Sequence, residues 1–199
     1  MRRTVDYYFA PQSPWTYLGH ARFADLLQRS DTTVRVRPVD FGQVFSVSGG
    51  LPLPKRAPQR QAYRLVELRR FSEALGVPLN PQPRFFPVAG DPAGWLITAI
   101  AQHDGDAAAM RLTGAVGRAL WAQERDIASP DVLAELLSEC GLDAQRLAQS
   151  QQDDVKGLYA QHTEEAIAAG VFGAPSYVID GEIFWGQDRL DFVERRLLA

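Results

Sequence analysis

Hydrophobic and polar residues follow two different periods near the start of the chain. Residues 4–9 form a β-branched and aromatic run, and residues 33–37 alternate with a period of two, so each stretch predicts a β-strand. Between them, apolar residues recur at helical spacing over residues 15–29. Ser13 and Pro14 suit the cap and the first position of this helix. The pattern therefore predicts a β-α-β unit with parallel strands and a right-handed crossover.

The middle of the chain, from about residue 59 to Gly170, keeps a helical period and has no clear strand pattern. Pro, Gly and Asp residues mark the joints between its helices. After a first helix that begins near residue 59, the predicted helices span residues 92–103, 106–125, 130–140, 143–149 and 153–169. Gly170 suits the position after the last of them, because glycine adopts the left-handed backbone conformation without a side-chain clash.

Two short β-type runs near the end of the chain predict a hairpin. Residues 176–179 and 182–185 flank Asp180-Gly181, a dipeptide favoured in type I′ turns. A last helix over residues 189–198 can be capped by Asp188. The complete order is β-α-β, a helical block, then β-β-α. This order predicts an α/β protein with the thioredoxin arrangement and an all-helical insertion between its halves.

The predicted domain boundaries follow from this order. Residues 1–50 and 170–199 form a discontinuous thioredoxin-like domain, and residues 51–169 form the helical insertion domain. A length of 199 residues allows one core with an inserted subdomain, but not several enzyme modules. With 46% hydrophobic and 23% charged residues, the composition excludes disordered, collagen-like and disulfide-stapled classes of protein.

The charge balance and the start of the chain bear on partners and location. The net charge of −3 gives no overall positive field, so no nucleic-acid partner is predicted, although a local basic patch stays compatible with it. No apolar run approaches the roughly 18 to 20 residues that span a membrane. Arg2, Arg3 and Asp6 precede any secretory hydrophobic region, so cytoplasmic residence is expected.

Cysteine and histidine usage limits the available chemistry. Cys140 is the sole cysteine, so the chain has neither an internal disulfide nor a dithiol pair, and we expect a buried, unreactive thiol on a helix. His20, His103 and His162 are too scattered for a local metal motif, and no metal is predicted. Any thiol chemistry must therefore use a sulfur from outside the chain.

Ser13 stands where a thioredoxin-fold oxidoreductase has its reactive cysteine. A hydroxyl cannot exchange disulfides, but at a helix N-terminus it can donate a hydrogen bond to a bound thiolate, which the helix dipole also favours. The alternative is that Ser13-Pro14 is merely a good helix start, which is a common sequence feature.

Pro175 directly precedes the predicted hairpin, at the place of a cis-proline in a thioredoxin fold. A cis Ala174-Pro175 bond is therefore predicted, and it would expose the backbone groups of Ala174 to an extended peptide. The alternative is an ordinary turn before an edge strand.

Arg56, Arg60 and Arg64 recur every four residues and would line one helix face. This face either meets an anionic ligand or is solvated.

The combination of these loops with two further segments resembles the 2-hydroxychromene-2-carboxylate isomerase family and the related kappa-class glutathione transferases. The segments are residues 184–190, which read FWGQDRL, and residues 58–63, which read PQRQAY. The resemblance spans nearly the whole chain and is more specific than any single motif. It implies a thioredoxin fold with a helical insertion, a homodimer, and glutathione as cofactor.

The resemblance also implies roles for individual residues. Ser13 would hold the glutathione sulfur, and Ala174 before Pro175 would pair with the cysteinyl backbone. Gln187 and Asp188 would receive the γ-glutamyl end, where Asp188 can pair with the ammonium group. The cofactor-binding residues implied in this way are Ser13, Leu51, Leu53, Arg60, Ala174, Pro175, Gln187 and Asp188, and Ser13 is the catalytic residue.

The loop before the insertion departs from the family pattern. Relatives commonly carry a Gly-Asn-x-Pro-Pro segment, whereas residues 49–54 read GGLPLP in this chain. Only backbone contacts at Leu51 or Leu53 are therefore transferable to it. Phe85, Phe86, Trp95 and Trp121 include candidates for the substrate pocket, although aromatic residues in a helical block more often belong to the core.

The function implied is a glutathione-dependent cis-trans isomerase of 2-hydroxychromene-2-carboxylate or a similar conjugated acid of aromatic catabolism. The alternative within enzymes is a kappa-type glutathione transferase or peroxidase. An alternative from another class is a non-catalytic thioredoxin-fold module that binds an extended peptide beside Pro175.

Overall fold

The computed structural model describes residues 3–198, and its elements agree with the predicted ones within two residues at almost every boundary. The strands are β1 Thr4–Phe9, β2 Thr33–Pro38, β3 Ser176–Ile179 and β4 Glu182–Trp185. The helices are α1 Pro14–Arg29, α2 Phe41–Ser48, α3 Pro58–Leu75, α4 Asp91–Asp104, α5 Asp106–Gln123, α6 Pro130–Glu139, α7 Gln145–Gln149, α8 Asp153–Ala168 and α9 Leu190–Leu198. Short 3₁₀ turns cover Leu53–Lys55 and Gln187–Arg189.

The described strands form one mixed sheet in the order β2-β1-β3-β4. Strand β1 is parallel to β2 and antiparallel to β3, which in turn pairs antiparallel with β4. Asp180 and Gly181 both have positive φ, 51° and 82°, as a type I′ turn requires. The predicted thioredoxin-like α/β fold is confirmed.

The start of α1 is built from the residues that the sequence singles out. Ser13 has an extended backbone, and its Oγ accepts a hydrogen bond from the Thr16 N–H at 3.3 Å. Pro14 occupies the first helical turn, where its missing N–H leaves no donor unpaired. At the other end of the insertion, Gly170 has φ of 78° and follows α8, as expected.

Helix α2 has no counterpart in the predicted elements. Its sequence, FGQVFSVS, combines a glycine, two serines and two β-branched valines, which all have low helix propensity. Asp40 caps it by accepting a hydrogen bond from the Gly42 N–H at 2.7 Å. Burial of Phe41 and Val44 against the sheet supplies stability that the local sequence lacks.

Strand β1 sends alternate side chains into two cores. Tyr7 and Phe9 join the larger core, which also contains Leu112 and Trp121 of α5. Tyr8 points to the smaller core beneath α2 and α8. The inserted helices thus share the core of the sheet, and the predicted domain division stays a prediction. Within residues 3–198, none of the helices is long and apolar enough to cross a membrane.

The last helix begins differently from the prediction. Asp188 lies inside the Gln187–Arg189 turn, and α9 starts only at Leu190. The Asp188 carboxylate accepts a hydrogen bond from Arg189 Nη1 at 2.7 Å instead of capping α9. The expected cap is therefore wrong, because the 3₁₀ turn separates Asp188 from the helix. This leaves Asp188 exposed at the surface of the molecule.

Candidate functional site

An open cleft lies where the N-terminus of α1 meets α3 and the loops before α3 and β3. It consists of a main cavity of about 750 Å³ and a side cavity of about 540 Å³. Six residues line both cavities, which are therefore continuous: Trp15, Arg56, Arg60, Arg64, Ala174 and Trp185. Strand β1 leads into α1 and pairs with β3, so the sheet fixes the positions of the loops that precede α1 and β3.

Ser13 lines the main cavity at the N-terminus of α1. Its Oγ uses a lone pair to cap the helix, and its own hydrogen stays free to be donated into the cavity. The two interpretations of Ser13, helix cap and donor to a ligand, are therefore compatible. The helix dipole adds positive potential at this point, which favours a negatively charged atom.

Ala174 lines both cavities, and the Ala174-Pro175 bond is cis, as predicted. The loop is tied to the hairpin, because the Gly186 N–H donates to the Pro175 carbonyl at 2.9 Å. The Ser176 hydroxyl also stabilises this loop, because its Oγ donates to the Gly173 carbonyl at 2.7 Å. Within residues 3–198, neither backbone group of Ala174 has a hydrogen-bonding partner. They are available to an extended ligand.

The loop before α3 contributes Leu51 and Leu53 to the main cavity. The Leu51 carbonyl already accepts a hydrogen bond from Arg56 Nε at 2.7 Å, and the Leu53 carbonyl accepts one from the Arg56 N–H at 3.1 Å. The backbone N–H groups of both leucines have no partner in the part of the chain that the structure describes. This loop can therefore donate two backbone hydrogen bonds to a ligand.

Arg56, Arg60 and Arg64 converge on the cleft, but not from one helix face as predicted. Pro58 begins α3, so Arg56 precedes the helix and only Arg60 and Arg64 lie on it. Among the described residues, none of the three arginines forms an ion pair, and no acidic side chain lines the main cavity. The main cavity therefore carries positive charge that no described residue in its lining neutralises, although the whole chain is acidic.

Gln187 and Asp188 line the side cavity with unequal exposure. Asp188 is exposed, whereas Gln187 is 2% exposed, and its buried Oε1 has no hydrogen-bonding partner in the part of the chain that the structure describes. Gln187 packs on Gly19 of α1, where a Cβ atom would lie 2.6 Å from Gln187 Cβ. Gly19 thus permits the close approach that places this turn beside the cleft, a role that the sequence pattern did not indicate.

Aromatic side chains form much of the cavity wall. Of the four aromatic candidates in the insertion, only Phe86 lines the main cavity, and Trp121 is fully buried behind it with ring centroids 4.9 Å apart. Phe172 and Trp185 pack edge to face at 4.8 Å and are 43% and 50% exposed. Large apolar side chains with such exposure are typical of a binding site.

Cys140 ends helix α6 and lines neither cavity of the cleft. The expected full burial is wrong, because Cys140 is only partly buried at the end of α6, but even this burial raises the pKa of its thiol. The thiol is therefore protonated at neutral pH, as expected for an unreactive cysteine. The chain itself supplies no thiolate to the cleft.

Comparisons with known proteins identify the family and the fold of the chain. A family model described as a DsbA-like thioredoxin domain matches residues 4–198. A 2-hydroxychromene-2-carboxylate isomerase from Sphingobium xenophagum is 30% identical over 200 residues, which cover 100% of both chains. Glutathione S-transferase kappa 2 from Caenorhabditis elegans is 26% identical over 95% of this chain and 89% of its own length.

A solved structure of a 2-hydroxychromene-2-carboxylate isomerase superposes with a TM-score of 0.84. At 24% identity, covering 98% of this chain and 94% of that one, it supports the fold. The full-length matches confirm the family that the sequence resembles. The chain belongs to the DsbA-like thioredoxin-domain family and, within it, to the group of 2-hydroxychromene-2-carboxylate isomerases and kappa-class glutathione transferases.

Proposed function

We propose that this protein is a glutathione-dependent isomerase of 2-hydroxychromene-2-carboxylate or a similar conjugated acid. The observation that carries the proposal is a serine hydroxyl at a helix N-terminus, in a cationic main cavity that no acidic side chain lines among residues 3–198. A dithiol oxidoreductase would need two cysteines here, and the chain has one cysteine elsewhere. The names of the relatives agree with this choice.

The cleft fits the chemical groups of glutathione. The unpaired backbone of Ala174 matches the cysteinyl backbone, as an added strand would. Arg60 is exposed and suits the glycine carboxylate, while the exposed Asp188 suits the γ-glutamyl ammonium. The N–H groups of Leu51 and Leu53 are further donors. Gln187 supports the turn that presents Asp188.

When bound, glutathione supplies a thiolate that adds reversibly to a conjugated carbon and so allows a double bond to change from cis to trans. Ser13 donates a hydrogen bond at the sulfur position. This hydrogen bond and the α1 dipole stabilise the thiolate relative to the thiol and so lower the pKa of bound glutathione. The arginines hold anionic groups, and the aromatic wall excludes water from the conjugated system. No redox change of the protein is needed.

The direct test is product analysis. Purified protein is incubated with 2-hydroxychromene-2-carboxylate, with and without glutathione, and products and glutathione are quantified. We expect the trans-hydroxybenzylidenepyruvate type of product only with glutathione, and no net loss of glutathione. Stoichiometric loss of glutathione would instead support the transferase or peroxidase alternative, which the similarity to the kappa transferase favours.

A calorimetric titration with glutathione tests the remaining alternative. Saturable binding is expected from the tripeptide contacts above. Its absence would contradict both enzyme hypotheses and support the peptide-binding module.

The homodimer that the resemblance implies also belongs to this proposal. Light scattering of a homodimer would give about 44 kDa, twice the 22.1 kDa of one chain.

A further inference from the structure

Arg64 occupies an unusual place among the cationic residues of the cleft. It lies on α3 and lines both cavities, but it is half-buried, whereas Arg60 is exposed. Its Cζ lies 5.2 Å from the centroid of the Phe86 ring and 5.8 Å from that of Trp121. Trp121 is fully buried, so Arg64 rests on the edge of the hydrophobic core. These two rings hold the guanidinium in place.

The charge of Arg64 has no counter-ion among the described residues. Among residues 3–198 it forms neither an ion pair nor a hydrogen bond, and Arg56 lies close enough to add repulsion. Burial, and next the Arg56 charge, lower the pKa of the Arg64 guanidinium to about 10, so it is still cationic at neutral pH. A desolvated cation without a partner is unfavourable for folding, and a bound anion relieves that cost.

The other two arginines suit different tasks. Arg56 is engaged with the Leu51 carbonyl at 2.7 Å, which fixes the loop before α3. Arg60 is exposed at the junction of the two cavities, where a flexible peptide end can reach it. Of these three arginines, Arg64 alone combines a free planar donor fork with an aromatic surface, and a fork of this kind matches a carboxylate with two parallel hydrogen bonds.

We propose that Arg64 binds the carboxylate of the substrate and so selects planar conjugated carboxylates. The inference rests on the proposed function, which makes the substrate such an acid. The apolar part of the substrate then contacts the aromatic wall of the main cavity, which includes Phe86 and Trp185. Arg64 is thereby a specificity residue for the substrate, distinct from the residues assigned to glutathione.

The test compares an acid with its neutral analogue by calorimetry. Chromone-2-carboxylate and chromone-2-carboxamide, which are stable planar probes, are titrated into the wild type and into Arg64→Gln, Arg64→Lys and Arg69→Gln. Arg69 lies on α3 but is exposed and lines neither cavity, so it is the matched control. Glutathione is titrated into the same proteins and into Arg60→Gln. Thermal unfolding identifies any variant that fails to fold.

We expect Arg64→Gln to weaken binding of the carboxylate by roughly 10- to 100-fold, as for loss of a charged hydrogen bond. The dissociation constants of the carboxamide and of glutathione should change less than about twofold, which is a change of only about 0.4 kcal/mol in binding free energy. Arg64→Lys should recover part of the carboxylate affinity, because it keeps the charge but not the fork. Arg69→Gln should match the wild type, and Arg60→Gln should weaken glutathione alone.

The proposal is overturned if Arg64→Gln binds the carboxylate as tightly as the wild type, or if both probes weaken equally. It is also overturned if the folded wild type binds neither probe. If Arg64→Gln does not fold, Arg64→Lys decides: an unchanged preference for the acid over the amide contradicts a bidentate contact. Because no turnover is measured, an enzyme that binds the acid selectively but does not isomerise it would contradict only the proposed function.

Discussion

At the scale of single residues, Ser13 shows how one side chain serves both structure and chemistry. A hydroxyl oxygen accepts hydrogen bonds through its lone pairs and donates through its hydrogen, so capping α1 does not consume the donor. A cysteine at this position would be the nucleophile itself. The serine instead leaves the nucleophile to the ligand and keeps only the task of stabilising its charge.

Replacement of Ser13 by Ala separates these tasks. Loss of a hydrogen bond to a thiolate, worth roughly 1.5 to 3 kcal/mol, should raise the pKa of bound glutathione by about one to two units. Loss of the cap should lower the free energy of unfolding by about 1 kcal/mol. Ultraviolet titration of the bound thiolate measures the pKa, and urea unfolding measures the stability.

Ser13→Thr is the control, because it keeps a hydroxyl that can both cap and donate. It should restore the thiolate pKa, while glutathione affinity in Ser13→Ala should fall much less than activity. Superimposable titration curves for the wild type and Ser13→Ala would mean that Ser13 is a helix cap only.

Some site residues carry a local signal and others do not. Ser13, Pro175 and Asp188 belong to motifs at loop ends, where the order of elements predicts convergence. Phe45 lines the main cavity outside any such motif, and Phe172 and Trp185 stand next to the motif residues without a role that the pattern assigns. An aromatic residue in a sequence is more often buried than functional, and only its observed exposure distinguishes the two cases.

At the scale of elements, close packing of α1 on the turn after β4 positions the side cavity. Helix α2 also depends on packing. Its residues are poor helix formers that become helical because two of them are buried, and a local sequence pattern does not indicate that burial. The predicted boundaries are accurate where caps, prolines and Asp-Gly mark them. They fail at α2 and at the extra turn before α9, where tertiary contacts decide.

Gly19→Ala tests the contact between α1 and the turn. The new Cβ would lie 2.6 Å from Gln187 Cβ and 3.2 Å from the Tyr177 hydroxyl, so the turn must shift. Overpacking of this kind costs about 1 to 3 kcal/mol of folding stability. We also expect weaker glutathione binding, because Asp188 moves with the turn. Urea unfolding and calorimetry measure the two effects.

Gly157→Ala is the matched control for this substitution. Gly157 lies within α8, and a Cβ there meets no atom within 4 Å. It should raise the free energy of unfolding by about 0.5 to 1 kcal/mol through helix propensity. If Gly19→Ala behaved in the same way, with unchanged glutathione affinity, the packing of the turn would not position the site.

At the scale of the whole molecule, both cores of the sheet extend into the inserted helices, and two buried histidines lie on different helices. His20 of α1 is 8% exposed and His162 of α8 is 5% exposed. His20 Nε2 donates to the Met110 carbonyl at 2.9 Å, and Nδ1 of each ring is buried without a partner in the described chain. Each imidazole is therefore held in its neutral form.

This arrangement predicts a loss of stability in mild acid. Burial lowers the pKa of both His20 and His162 from 6.5 to about 4. Between these values the unfolded chain binds protons that the folded chain does not, so stability falls as the pH falls from 6.5 towards 4. Each histidine should contribute about 2 kcal/mol of loss between pH 7 and pH 5. The loss ends once the folded form also binds the proton.

Urea unfolding of the wild type and His20→Gln at pH 7 and pH 5 measures this contribution. Glutamine can still donate to the Met110 carbonyl but does not titrate, so the variant should lose about 2 kcal/mol less than the wild type over this range. His103→Gln, at an exposed position of α4, is the control for the change of residue itself. The same carboxylates are present in the wild type and the variant, so their contribution to the pH dependence cancels when the two proteins are compared. An identical pH dependence for the wild type and His20→Gln would mean that His20 takes up its proton in the folded protein as easily as in the unfolded chain, and that α1 and α5 do not seal it from water.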